Sequence, residues 1–335
     1  GSGGMADVYL GKHRLHLRTD AIKVPHRDQL SNEVRRRFLQ EARMAAGFDH
    51  EAIVHVLDVG QEGDVPYMVM RYMPGGSLAD RLKGGPYTLV QALPVLERIA
   101  AALDYVHSRG AIHRDVKPGN ILFDGKGQAY LSDFGIARVF APDGDETAVR
   151  QTAPGVAHAT FAYASPEQVQ AASDLDSRSD LYSLGVVAFE MLSGDVPYKA
   201  DSGVQMGVMH VVADIPSINQ RRPDLPPGLQ DVMNCALAKQ RDQRYQTGAA
   251  LVEDLRLIMA GQPPRHAPRA ASKERPSRLL PFVALLVVLI GLGAGAQTGE
   301  ARVLIPRPPH QPRGAAGGGE HHRPRPQHPR DGTEL

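Results

Sequence analysis

The stretch His113-Arg114-Asp115-Val116-Lys117-Pro118-Gly119-Asn120, followed after a short predicted hairpin by Asp133-Phe134-Gly135, decides how the rest of the chain is read. Pro118 and Gly119 punctuate it, and the apolar runs Ala111-Ile112 and Ile121-Leu122-Phe123 flank it, so it reads as a loop between regular elements. The loop offers a carboxylate (Asp115), an ammonium (Lys117), a carboxamide (Asn120) and, eighteen residues past Asp115, a second carboxylate (Asp133). Moving a phosphoryl group from a nucleotide requires a base that orients the attacking hydroxyl, a cation on the moving phosphate, and oxygen ligands for Mg²⁺. The set supplies each. The bland alternative is a polar surface loop in which Asp133 caps a turn or helix.

His-Arg-Asp-x-x-x-x-Asn followed by Asp-Phe-Gly resembles the catalytic signature of the protein-kinase family. HRDVKPGN is similar to its serine/threonine branch, and GGMADVY, HRDVKPGN and SPEQ together resemble the bacterial eukaryotic-like kinases. The resemblance implies ATP as donor, Asp115 as the base that positions the acceptor hydroxyl and takes its proton, and Lys117 on the transferred phosphate. It also implies Asn120 and Asp133 as ligands of Mg²⁺ (or Mn²⁺), with Phe134 packed under a regulatory helix. It covers residues 1 to about 260.

Taken in order, the chain opens on Gly1-Ser2-Gly3-Gly4-Met5-Ala6-Asp7-Val8. Glycines let backbone N–H groups approach phosphates with no Cβ in the way. Gly1, Gly3 and Val8 match the family's G-x-G-x-x-G-x-V, with Ala6 at the third glycine. The family has a strand before this loop, so the chain is read as N-terminally truncated. Ala21-Ile22-Lys23-Val24 resembles the strand whose lysine bridges the α- and β-phosphates. Asn32 to Gly47 has helical spacing (Val34, Phe38, Ala42, Ala45) and carries Glu41, which the resemblance implies as the partner of Lys23. Glu33 is the rival carboxylate, but an acidic residue near a helix start is explained by the helix dipole. His50 to Gly60 and Val65 to Tyr72 read as two strands joined by a Gly-Asp turn. The resemblance implies Met70 at the back of the adenine pocket, with Arg71-Tyr72-Met73 as the hinge whose backbone binds the base. Pro74-Gly75-Gly76 then leaves the sheet for helices.

Leu89 to Arg109 is read as a core helix on which His107 is structural. The long irregular stretch from Asp133 to Glu167 ends in Ser165-Pro166-Glu167, close to the family's A-P-E, and loops of this length inside a compact domain are uncommon unless functional. It resembles an activation segment, with Thr147 and Thr152 as candidate phosphorylation sites and Thr160 as the threonine that touches the catalytic Asp and Lys. Asp180, at the start of the apolar run to Leu192, is implied as the anchor of the catalytic-loop backbone. Arg244 is implied as the partner of Glu167. Cys235 lies in an apolar helical run and is read as core filling. The last helix of the domain is read from Ala249 to Ala260.

Composition narrows the class. The chain has 335 residues, 42% hydrophobic and 22% charged, ordinary for a folded protein and long enough for two lobes. A net charge of +1 gives no case for nucleic-acid binding, and one cysteine excludes an internal disulfide framework.

The expected organisation is α+β and two-lobed. Residues 1–73 form a small antiparallel-sheet lobe with one helix, and 74–260 a larger, mainly helical lobe. Residues 261–278 form a basic, Pro-rich linker, 279–296 a transmembrane helix, and 297–335 a disordered tail rich in Pro, His, Arg and Gly. Leu279 to Ala296 is uncharged and, at about 1.5 Å per residue, about 27 Å long, close to the ~30 Å hydrocarbon core. Five Lys/Arg precede it within fifteen residues and two follow, so the kinase lobe is expected on the cytoplasmic side of the cell membrane. If that segment does not span, the chain is cytoplasmic. The expected partners are proteins with Ser or Thr acceptors, the membrane, and a second copy through the kinase lobe or the membrane helix. Two other readings compete: a pseudokinase scaffold, which usually lacks one of Lys23, Asp115 or Asp133, and a small-molecule phosphotransferase, which lacks the long segment closed by Pro-Glu.

Overall fold

The structure is a computed structural model that describes residues 6–14, 17–134 and 161–266. All of them fall in the first of the chain's two units, Gly1–Ala271. Four strands, β1 (Ala6–Lys12), β2 (Thr19–Pro25), β3 (Val56–Glu62) and β4 (Val65–Arg71), form an antiparallel sheet in the order β1-β2-β4-β3. In β4 the alternation is clean: Pro66, Met68 and Met70 turn inward while their neighbours do not. The register sets Val8 opposite Lys23, Lys23 opposite Met68, and Ala21 opposite Met70. Lys23 is thereby fixed in the middle of the sheet.

The expected strand from His50 begins instead at Val56. His50 to Val54 is a turn whose backbone is claimed elsewhere: Ile53 N–H bonds His50 O, Val54 N–H bonds Leu131 O, and Ala52 O accepts Leu131 N–H. Helix α1 (Asn32–Ala46) starts at Ser31, whose hydroxyl accepts Val34 N–H. It buries Phe38, Ala42 and Ala45 against the sheet side of the lobe.

Beyond Arg71 the chain becomes helical: α2 (Leu78–Leu82), α3 (Leu89–Ser108), the hairpin β5 (Ile121–Phe123) with β6 (Ala129–Leu131), α4 (Pro166–Val169), α5 (Arg178–Ser193), α6 (Gly203–Val212), α7 (Ile218–Arg221), α8 (Leu229–Ala236) and α9 (Gly248–Met259). Helix α5 is almost wholly buried, as its mainly apolar run Leu184 to Leu192 dictates. It packs on α3 and α8, and α3 packs on α9. Gly185 permits the approach of α8, since a Cβ there would lie 2.9 Å from that of Ala236.

Gly75 joins the two lobes' elements. Its N–H bonds Phe123 O at 2.8 Å, and a Cβ on it would lie 2.6 Å from Asp124 O and 2.8 Å from Phe123 O. Gly75→Ala is expected to push this turn off β5 and to cost about 1–3 kcal/mol, read as a lower denaturation midpoint at unchanged slope.

Among the described residues no helix is long and apolar enough to cross a membrane. The stretch 279–296 lies outside them, as do the tail, the linker from residue 267 on, Gly1, Gly3, Thr147, Thr152 and Thr160.

Candidate active site

The loop from His113 to Asn120 joins α3 to β5 and is pinned from three directions. From below, the carboxylate of Asp180, 1% exposed on α5, accepts the N–H of His113 and of Arg114, each at 2.7 Å. His107 Nε2 lies 2.8 Å from the same carboxylate, so the structural histidine of α3 is part of this anchor. From the hairpin side, the Ser132 N–H and hydroxyl both donate to Asn120 O, and His113 Nε2 lies 2.9 Å from Ser132 O. From α4, Gln168 Nε2 donates to Arg114 O at 2.8 Å. These contacts hold two residues in the left-handed region that side chains seldom adopt, Arg114 at φ 68° and Asp133 at φ 59°.

The reactive groups converge on this frame. Lys117 Nζ sits 2.7 Å from Asp115 Oδ2, and Asn120 Nδ2 donates at 2.8 Å both to Asp115 O and to Asp115 Oδ2. The amide nitrogen is thus fully used, which leaves the Asn120 oxygen for a hard cation. Asp133 Oδ1 lies 2.5 Å from Lys23 Nζ, so the strand lysine and the second carboxylate meet across 110 residues of sequence. Burial pushes the Asp133 carboxyl up, but the adjacent Lys23 ammonium outweighs it, and the net shift is downward. Asp133 is therefore ionised at neutral pH and fit to ligate a cation.

One contact was not expected. Among the described residues the ion pair of Lys23 is with Asp133, and Glu41 stands half-buried on α1. The Lys23 side chain is only 13% exposed and its charge must meet a carboxylate there. Asp133, itself in the left-handed region, delivers one. The rival Glu33 is committed to Arg36 and Arg37 on the helix surface, with its carboxyl held low by those hydrogen bonds.

The remaining predicted residues are placed as follows. Met70 and Met73 are buried, Tyr72 is 37% exposed at the edge, and Val8 is half-buried opposite Lys23. Phe134 is buried with its ring 5.0 Å from that of Phe48, just past the end of α1, and 4.7 Å from that of His113. Glu167 and Arg244 meet in a buried bidentate pair at 2.7 and 2.8 Å. Cys235 is buried, and burial raises its thiol to about 11, which suits core filling.

Sequence reasoning missed what fixes the end of the stretch from Asp133 to Glu167. His210 Nε2 lies 3.0 Å from Ala162 O, Tyr163 OH donates to Glu190 at 2.7 Å, and Ser183 Oγ donates to Tyr163 O. Burial and the nearby Lys239 push His210 down to about 4. It is therefore neutral and donates one N–H to Ala162 while accepting the Tyr182 hydroxyl. The spacing Ser165-x-x-Gln168 was a legible capping-box signal for α4, but nothing in it announced the bond to Arg114.

The fold and its site are those of a two-lobed kinase. The family model described as protein kinase domain matches residues 1–255. Serine/threonine-protein kinase PknB of Mycobacterium leprae is 40% identical over 84% of this chain and 45% of its own length. Serine/threonine-protein kinase PrkC of Bacillus subtilis is 36% identical over 76% of this chain and 39% of its own. The crystal structure of the Mycobacterium tuberculosis PknI kinase domain is 27% identical, with a TM-score of 0.60 over 77% of this chain and 93% of that one. The chain therefore belongs to the protein kinase family, and it spans less than half the length of these curated relatives.

Proposed function

We propose that the chain is a bacterial serine/threonine protein kinase that transfers the γ-phosphoryl group of ATP to Ser or Thr hydroxyls of proteins. The observation that carries this reading is the Asp115 carboxylate held by both Lys117 and Asn120 on an anchored loop. Asp115 orients the acceptor hydroxyl and takes its proton. Lys117, already beside that carboxylate, meets the negative charge of the transferring group. Lys23 holds the donor phosphates, and Met70, Tyr72 and Met73 border the base. Asn120 and Asp133 suit Mg²⁺, which accepts one or two protein oxygens alongside phosphate oxygens and would neutralise charge on the phosphates. The presence of Lys23, Asp115 and Asp133 together disfavours a scaffold that binds without transfer.

The test is incorporation of ³²P from [γ-³²P]ATP into a generic basic protein, wild type beside Asp115→Asn. Equal incorporation by the two sinks the reading.

Activation through Thr147 or Thr152 belongs to the same proposal. A phosphate of about −2 charge near Arg114 would form charge-assisted pairs that order the segment. Thr147→Ala with Thr152→Ala is expected to hold the enzyme at its unphosphorylated rate. Activity equal to wild type in the double variant counts against it. Membrane anchoring through 279–296, with the kinase lobe on the cytoplasmic side, rests on the uncharged run and the basic residues before it. Pairing of two copies, through the kinase lobe or that segment, is the regulatory partner this reading allows.

A further inference from the structure

The carboxamide of Gln168 has both ends engaged. Its Oε1 accepts the N–H of Ser165 at 2.9 Å, closing the capping box of α4. Its Nε2 donates to Arg114 O at 2.8 Å. Arg114 immediately precedes Asp115, and its backbone sits at φ 68°. Its N–H is already held by Asp180 Oδ1 at 2.7 Å. The two amide groups of that residue are thus gripped from different helices, the N–H by α5 and the carbonyl by α4. The Arg114 carbonyl lies in the same rigid peptide plane as the N–H of Asp115. That N–H in turn reaches His113 Nδ1 at 3.2 Å. Turning the plane would swing the Asp115 Cα, and with it the carboxylate that Lys117 and Asn120 address.

We infer that Gln168 is a positioning residue for Asp115. It locks the Arg114–Asp115 peptide and couples the Ser-Pro-Glu-Gln turn, at the end of the segment from Asp133 to Glu167, to the base. This rests on the reading of Asp115 proposed above. The side chain is specific for the task. Glutamate serves the capping box as well as glutamine does, since only an acceptor is needed there. It carries no N–H for the Arg114 carbonyl, and its charge opposes that oxygen. Gln168→Glu therefore separates the two bonds: it keeps the cap and deletes the contact with the catalytic loop. Gln168→Met deletes both.

The experiment compares wild type, Gln168→Glu, Gln168→Met and Asp115→Asn by steady-state kinetics and by melting temperature. Gln168→Glu is expected to lower kcat about tenfold, equivalent to about 1.4 kcal/mol, while KM for ATP and the melting temperature stay at wild-type values. Gln168→Met is expected to lose kcat to the same extent and to melt lower as well. A Gln168→Glu enzyme with wild-type kcat overturns the inference. So does a kcat that falls only in proportion to lost folded protein, with both variants melting lower together. Failure of the underlying reading looks different: Asp115→Asn then turns over as fast as wild type, whatever Gln168 does.

Discussion

Asp115→Asn is expected to lower kcat by about 10²–10⁴-fold, the usual contribution of a positioned base, with little change in melting temperature. The substitution keeps the shape of the side chain and an oxygen for Asn120 or Lys117. It removes the charge that draws in the Lys117 ammonium at 2.7 Å and the basicity that takes up a proton. KM for ATP should move little, because the side chain of Asp115 is engaged by Lys117 and Asn120, whereas Lys23 pairs with Asp133. Loss confined to kcat marks an interaction made in the transition state. Equal turnover by variant and wild type would remove Asp115 from the chemistry.

The largest effect on stability is expected at Arg244. Its guanidinium has five N–H donors, and all are used: Nε on Ala238 O, Nη1 on Glu167 Oε1 and Arg178 O, Nη2 on Glu167 Oε2 and Lys239 O. The side chain is fully buried, Glu167 nearly so, and Tyr182 stacks its ring 4.8 Å away. Arg244→Met leaves the Glu167 carboxylate in the core with no cation beside it, held by hydrogen bonds such as that of the Ser179 hydroxyl at 2.6 Å. The cost of such an orphaned charge is about 3–5 kcal/mol, a fall of roughly 10 °C in melting temperature for a domain of this size. Arg244→Lys, with three donors on a point charge, is expected to recover only part of it. A melting temperature within about 2 °C of wild type for Arg244→Met would contradict the argument. Acid titration gives a second check. Burial raises the Glu167 carboxyl and Arg244 more than offsets it, so its folded-state value lies below the ordinary one. The pair's stabilisation is complete above the ordinary glutamate range and disappears as pH falls through the depressed value. Glu167→Gln should therefore lose less stability than wild type on acidification.

That the residues of the site belong together was legible in the sequence, for a physical reason. Residues that do chemistry on phosphate must be particular charged or amide groups at particular spacings, so His113 to Asn120 and Asp133 announce themselves. Apolar periodicity did the same for α1 and α3, whose buried faces repeat with the helical turn, and the continuous apolar run did so for α5. What stayed hidden was which polar groups share a contact across the fold. Gln168 looks like any capping residue until α4 is set beside the catalytic loop, and His107 like any core histidine until α5 brings Asp180 to it. The contact of Lys23 with Asp133 stayed hidden for a related reason. It joins groups 110 residues apart and places Asp133 in the left-handed region, which no local pattern in Ser-Asp-Phe encodes.

The contact between Lys23 and Asp133 also bears on how ligands enter. A lone polyanion that drew Lys23 away would strand a carboxylate, and a lone cation that took Asp133 would strand an ammonium. A nucleotide arriving with its cation meets both demands at once, exchanging one internal ion pair for two at no net cost in charge. Each should then strengthen the other's hold by the same factor, so the two titrate as a single reciprocal unit.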